Sequence, residues 1–235
     1  VAVKELRLAD LEGWDDHRRF ARECEVLEGL DHPGIPRYLG HYADQGAQRF
    51  GLVMELIEGR PLSEWVGGDR TLSDERIREV FAQTLGILEY LHDRHPPVVH
   101  RDIKPGNLML DDEGRVHLVD FGGVKVARGQ SDGRLSAFGT FGYMAPEQFR
   151  GKATPASDLY GLGATMAALG ASSEPEGLPT QAVMGGQRID VAKIFDAGPL
   201  QDAVAALVEP LPERRPTSAR AVGARLSPPE VKRVP

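Results

Sequence analysis

Eight residues, His100-Arg101-Asp102-Ile103-Lys104-Pro105-Gly106-Asn107, put a carboxylate, an ammonium and an amide on one short loop. Thirteen residues after Asn107, Asp120-Phe121-Gly122 adds a second carboxylate beside a glycine. Phosphoryl transfer needs such a set: a base for a hydroxyl, a cation for the moving charge, and two oxygen ligands for Mg²⁺. His-Arg-Asp and Asp-Phe-Gly are each common in surface loops when taken alone. Their order and separation are what make the pair informative.

The elements around these loops show what must hold them. Residues 1–8 have strand character and carry Lys4 within an otherwise apolar start. Residues 15–30 have helical periodicity, with Phe20, Cys24, Leu27 and Leu30 on one stripe. At about 100° per residue Glu23 falls within that stripe while Glu25 points away. A carboxylate on a core-facing stripe needs a partner, and Lys4 is the natural one. Asp31-His32-Pro33-Gly34 ends the helix, and residues 38–42 and 50–57 read as an antiparallel strand pair. Glu58-Gly59-Arg60-Pro61 breaks the pattern and marks the change from a small sheet-rich lobe to helices. Ser73 caps a long helix with Asp74 and Glu75 against its positive end, and Ile77, Val80, Phe81, Leu85, Leu88 and Leu91 form its apolar face. Short strands at 108–110 and 116–119 flank a turn, and from residue 154 the pattern is helical apart from the Gly/Pro-rich stretch 172–186.

Composition removes several alternatives. The 235 residues, 41% of them hydrophobic, suffice for one or two lobes around a core. A net charge of −7 lacks the basic stripe that nucleic acids require. The single cysteine, Cys24, cannot form an internal disulfide and reads as a small buried hydrophobe in a reducing compartment. The longest uncharged run, residues 159–173, is short of the roughly 20 apolar residues of a bilayer span and reads as a buried core helix. No membrane segment and no nucleic-acid partner are therefore expected, and the location is read as cytoplasmic, either free or as the cytoplasmic domain of a larger, membrane-anchored protein.

The ordered motifs resemble those of protein kinases of the Ser/Thr type, over residues 1 to about 225. Val1-Ala2-Val3-Lys4 resembles the strand with the ATP lysine, and residues 139–147, ending in Ala145-Pro146-Glu147, resemble the end of the activation segment. Residues 157–163 resemble the start of the large buried helix of the second lobe. Arg214-Arg215-Pro216-Thr217 resembles the segment whose arginine pairs with that glutamate. The chain looks most like the bacterial eukaryotic-type kinases, which its 22 arginines against 6 lysines suit.

The resemblance implies an α+β bilobal fold: residues 1–58 a partial N-lobe, 59–226 the C-lobe, 227–235 a tail or linker. It implies a Ser/Thr kinase using ATP and Mg²⁺ on protein substrates, with homodimerisation as a route to autophosphorylation. Asp102 would take the hydroxyl proton, Lys104 would neutralise the phosphoryl oxygens, and Asn107 and Asp120 would hold Mg²⁺. Lys104 also favours Ser/Thr over Tyr substrates by resemblance. Lys4, set by Glu23, would reach the ATP phosphates. Met54 would be the gatekeeper, the backbone of Glu55 and Ile57 would meet adenine, and Ala2 and Met109 would enclose the ring. Taken singly, each of these apolar residues also fits plain core packing. His100 reads as structural, and Asp158 as a support for the catalytic loop backbone. A phosphate on Ser136, or on Ser131, would dock on Arg101 and Lys125, while Thr140 would contact Asp102 and Lys104.

The match departs in two places. The chain opens at Val1, inside a strand and without the Gly-rich loop that covers ATP in the family, so these residues alone are expected to bind ATP and turn over weakly. Gly106 stands where kinases preferring basic peptides carry a glutamate. Two alternatives follow, a pseudokinase-like scaffold and a small-molecule phosphotransferase. The retained Lys4, Asp102, Asn107 and Asp120 count against the first, and the peptide-docking Glu147 and Arg215 against the second.

Overall fold

Ser73 begins the longest helix for a simple reason: in extended conformation, its hydroxyl accepts the Arg76 N–H that the first turn leaves unpaired. A computed structural model describes residues 1–7, 14–44, 49–126 and 139–226 of the chain. Strands β1 (Ala2–Arg7), β2 (Tyr38–Asp44) and β3 (Arg49–Met54) form an antiparallel sheet in the order β1-β3-β2. Helix α1 (Trp14–Glu28) lies between β1 and β2 in sequence and packs on β2 and on the turn Phe121–Gly123. Phe20, Glu23, Cys24, Leu27 and Leu30 are buried while Glu25 is exposed, as the helical stripe requires. β3 stops at Met54, so the expected strand to Ile57 is shorter by three residues, and Leu56 is exposed.

After β4 (Arg60–Pro61), α2 (Asp74–His92) presents its entire predicted apolar face to the core. β5 (Val98–Val99) precedes the catalytic loop, and β6 (Leu108–Leu110) with β7 (Val116–Leu118) follows it. β4 joins β6 and β7 in one small sheet, and β5 pairs with β8 (Lys125–Val126). Helix α3 (Pro155–Ala171) holds residues 159–171 of the uncharged run inside the core, buried along most of its length and sheltered by α2, β5 and α4 (Pro199–Leu207). α5 (Ala219–Leu226) closes the fold against α2 and α4.

One region differs from its sequence reading. The stretch after α3 holds a hairpin, β9 (Thr180–Val183) with β10 (Gly186–Ile189). Its two-residue turn, Met184–Gly185, needs a positive φ at its second position, and Gly185 supplies it at +99°. The strands are polar and half exposed, so neither helical nor strand periodicity marks them. The whole is an α+β fold with a small sheet-bearing part followed by a larger helical part. Among the described residues no helix is long and apolar enough to cross a membrane.

Candidate active site

Asp102 is an acceptor on both carboxylate oxygens. The Thr140 N–H and hydroxyl each donate to Oδ1 at 3.0 Å. Asn107 Nδ2 donates to Oδ2 at 2.9 Å and to the Asp102 carbonyl at 2.8 Å, and Lys104 Nζ is 2.9 Å from Oδ2. Lys104 also donates to Thr140 Oγ1 at 2.6 Å. The four residues close into one network around a half-buried carboxylate, within hydrogen-bond reach of an incoming hydroxyl.

The loop is held from beneath by α3. Asp158, only 1% exposed, accepts the backbone N–H of His100 at 2.9 Å and of Arg101 at 2.7 Å. Arg101 has φ +70°, a conformation that costs about 1–3 kcal/mol for a non-glycine residue and persists only when its surroundings impose it. Gly161 lets the helix approach this closely: a Cβ there would lie 2.9 Å from the Ile103 carbonyl oxygen. His92, at the end of α2, places Nε2 2.9 Å from Asp158 Oδ2, and Gln148 Nε2 donates to the Arg101 carbonyl at 2.8 Å. Sequence reasoning did not single out either residue. His92 had a usable signal, since it stands four residues after Leu88 on the apolar face of α2.

His100 is fully buried, its ring edge-on to Phe121 at 5.0 Å. Burial holds its pKa below the ordinary histidine value against the pull of Asp158 and Asp102, which keeps the ring neutral near pH 7. The Arg101 guanidinium donates to the carbonyls of Gly123 and Val124. The proposed phosphosites Ser131 and Ser136, and the Lys125 side chain, lie outside the described residues.

Lys4 on β1 joins Glu23 on α1 to Asp120. Its Nζ is 2.9 Å from both Glu23 oxygens and 2.7 Å from Asp120 Oδ1. Burial disfavours charge on Lys4, but Glu23 and Asp120 outweigh it and raise its pKa. Glu23 is driven up by burial, only partly relieved by Lys4. Burial also opposes charge on Asp120, yet Lys4 holds its pKa low. Asp120 is itself left-handed, at φ +61°, with its side chain accepting the Gly122 N–H at 3.3 Å.

The five residues expected around adenine are all half-buried, as groove linings are. Ala2 and Met54 are paired across β1 and β3, and Met109 is on β6. Glu55 gives its N–H to the Arg37 carbonyl at 2.9 Å.

Away from this groove, Arg215 grips Glu147 with two nitrogens, at 2.6 and 2.9 Å. Its remaining donors reach the carbonyls of Glu209, Ala156 and Pro210, and its guanidinium stacks over Tyr160 at 4.9 Å.

The model of the protein kinase domain matches residues 1–221. The chain belongs to the protein kinase domain family. A serine/threonine-protein kinase C of Synechocystis is 36% identical over 176 residues, covering 71% of this chain and 32% of that protein. The serine/threonine-protein kinase PrkC of Bacillus subtilis is 34% identical over 170 residues, covering 69% and 25%. A receptor-like kinase, LIP2, of Arabidopsis thaliana is 37% identical over 177 residues, covering 71% and 31%. The chain thus spans about a third or less of the length of these relatives. As a kinase domain it retains Lys4 in contact with Asp120 and Asn107 in contact with Asp102, and the inert-scaffold alternative gains no support.

Proposed function

We propose that the domain transfers the γ-phosphoryl group of ATP to Ser or Thr hydroxyls of proteins. The observation that carries this is a pair of charged clusters, Asp102 with Lys104, Asn107 and Thr140, and Lys4 with Glu23 and Asp120, tied together where the N–H of Val119, beside Asp120, donates to the Asn107 carbonyl at 2.9 Å. Asp102 accepts the proton of the attacking hydroxyl, and Lys104 faces the charge that develops on the transferred group. Lys4, fixed by Glu23, binds ATP phosphate oxygens. Ala2, Met54, Glu55, Ile57 and Met109 bind adenine. The same reading divides the chain into a partial N-lobe of residues 1–58, a C-lobe of residues 59–226, and a tail of residues 227–235. Kinases named Ser/Thr-specific among the relatives, together with Lys104, favour Ser/Thr over Tyr.

The donor set fits Mg²⁺. Asn107 spends its amide nitrogen on Asp102, which leaves the amide oxygen for a cation, and Lys4 keeps Asp120 ionised. Two hard oxygen donors, supplemented by phosphate oxygens, are the usual protein contribution to Mg²⁺. When bound, the ion neutralises charge on the phosphates.

The test is transfer of labelled phosphate to a generic protein substrate, with phospho-Ser, phospho-Thr and phospho-Tyr resolved. Asp102→Asn should lower the rate by about 10²–10⁴-fold with nucleotide binding and melting unchanged. A variant that keeps more than about a tenth of the parent rate removes Asp102 from the role of base, and predominant phospho-Tyr removes the Ser/Thr assignment.

A further inference from the structure

One row of side chains crosses the small sheet of β4, β6 and β7. Pro61 on β4 is paired with Met109 on β6, and Met109 with His117 on β7. Residues directly opposite each other on antiparallel strands share a face, with Cβ atoms about 4.5–5.5 Å apart. The three therefore stand side by side, from the strand that follows β3 in the chain to the one that leads into Asp120. Pro61 and Met109 are half-buried, whereas His117 is only 7% exposed.

A buried imidazole needs a partner, and Asp111 provides it. His117 Nε2 lies 2.9 Å from Asp111 Oδ2, and an ionised carboxylate can only accept, so this ring nitrogen is the donor. Asp111 also accepts the Arg115 N–H at 2.7 Å and Arg115 Nε at 2.8 Å, so it is itself held in place. It stands two residues after Met109, on the same side of the chain. The segment between β3 and β4 is seated on the end of that strand. A Cβ at Gly59 would lie 2.5 Å from the Leu110 carbonyl oxygen and 3.0 Å from the Asp111 Cα.

We propose that His117, its ring locked by Asp111, is a positioning residue for the nucleotide base and acts through Met109. This deepens the phosphotransfer reading and rests on its placement of Met109 against adenine. A methionine side chain is unbranched and takes the shape its surroundings allow. With Pro61 on one side and a fixed imidazole on the other, Met109 holds one shape, and less ordering is left for the base to impose on binding. The phosphates are held elsewhere, by Lys4, and do not sense the row.

The experiment separates the base from the phosphates. Adenosine, ATP and tripolyphosphate are titrated into the full chain and followed by ligand NMR. His117→Val keeps a strand-forming side chain but removes the donor and part of the volume. It should weaken adenosine and ATP alike by about three- to fivefold, the upper range for one cross-strand pair, and leave tripolyphosphate unchanged. In transfer assays KM for ATP should rise by the same factor, with kcat at saturating ATP unchanged. His117→Gln, which carries an amide nitrogen to the place of Nε2, should restore the parent affinity. Arg115→Ala removes another donor to Asp111, from a side chain that is 65% exposed, and should leave adenosine affinity as it is. His117→Leu stands in if the valine variant does not fold. Unchanged adenosine affinity, a loss shared by tripolyphosphate, no rescue by glutamine, or an equal loss in Arg115→Ala overturns the proposal. A parent that binds no adenosine overturns it together with the nucleotide assignment. Transfer to a generic protein, with adenosine affinity insensitive to His117, sinks only this proposal. Adenosine affinity that depends on His117, without any transfer, sinks only the phosphotransfer reading.

Discussion

Among the described residues two ion pairs centre on a buried glutamate, and they are built for different ends. Glu147 and Arg215 are both buried, with side-chain exposures of 9% and 0%, and the guanidinium has a partner on every nitrogen. Glu23 and Lys4 are mismatched: the carboxylate is 2% exposed and the ammonium 41%. Lys4 is also shared with Asp120. In the first pair burial opposes charge on Glu147, but Arg215 and Ser157 more than offset it and the pKa falls. In the second, burial dominates Glu23 and its pKa rises. A fully satisfied pair is a fixed joint. A pair with one open, divided partner can give that partner to a ligand.

The sharpest way to break this contrast is to remove each cation. Arg215→Ala strands a buried carboxylate and five carbonyl or carboxylate contacts, and should cost about 3–5 kcal/mol in denaturant unfolding. Lys4→Met should leave stability within about 1 kcal/mol, because Glu23 is already disposed to take up a proton. Phosphoryl transfer should nevertheless fall by about 10²–10³-fold, the range for losing one preorganised charge at a reaction centre. Equal melting of the two variants would erase the distinction between joint and ligand-binding cation.

Both pairs were legible in the sequence, for different reasons. Glu23 betrayed itself by helical phase: a carboxylate on the stripe of Phe20, Cys24 and Leu27 must be paired. Glu147 and Arg215 have no such local phase. They are 68 residues apart and were placed only through the resemblance of their motifs. The same divide runs through the fold. The apolar faces of α1, α2 and α3 follow from periodicity, whereas the hairpin β9–β10 is built from half-exposed polar residues and left no periodic trace. His92 and Gln148 were passed over because their partners, Asp158 and the Arg101 carbonyl, come from distant segments. Contacts made through backbone carbonyls carry no side-chain code.

A smaller effect sharpens the account of the buried joint. Ser157 donates to Glu147 Oε1 at 2.7 Å, and its oxygen also accepts the Thr154 N–H at 3.0 Å as part of the α3 cap. Ser157→Ala should cost about 1.5–3 kcal/mol, the range for a hydrogen bond to a charged group. A double-mutant cycle with Glu147→Gln should recover much of this as coupling. A cost below about 0.5 kcal/mol would mean that Arg215 alone satisfies the carboxylate.

The pH dependence of stability separates the two glutamates by sign, and here the effect is smallest. Glu147 has a folded pKa below the ordinary value of 4.5, so it adds stability above that pH and loses it as pH falls through the folded value. Glu23 has a folded pKa above 4.5, so its contribution is complete below that pH and is lost as pH rises through the folded value. Unfolding free energies of the parent, Glu23→Gln and Glu147→Gln, taken from acid to neutral pH, should therefore diverge in opposite directions. The parent's advantage over Glu147→Gln should grow with pH. Its advantage over Glu23→Gln should shrink, at no more than about 1.4 kcal/mol per pH unit, the limit for one proton. Slopes of the same sign would show that Lys4 compensates Glu23 as fully as Arg215 compensates Glu147. The two pairs would then be joints of one kind, and Lys4 would not be the cation held in reserve for phosphate.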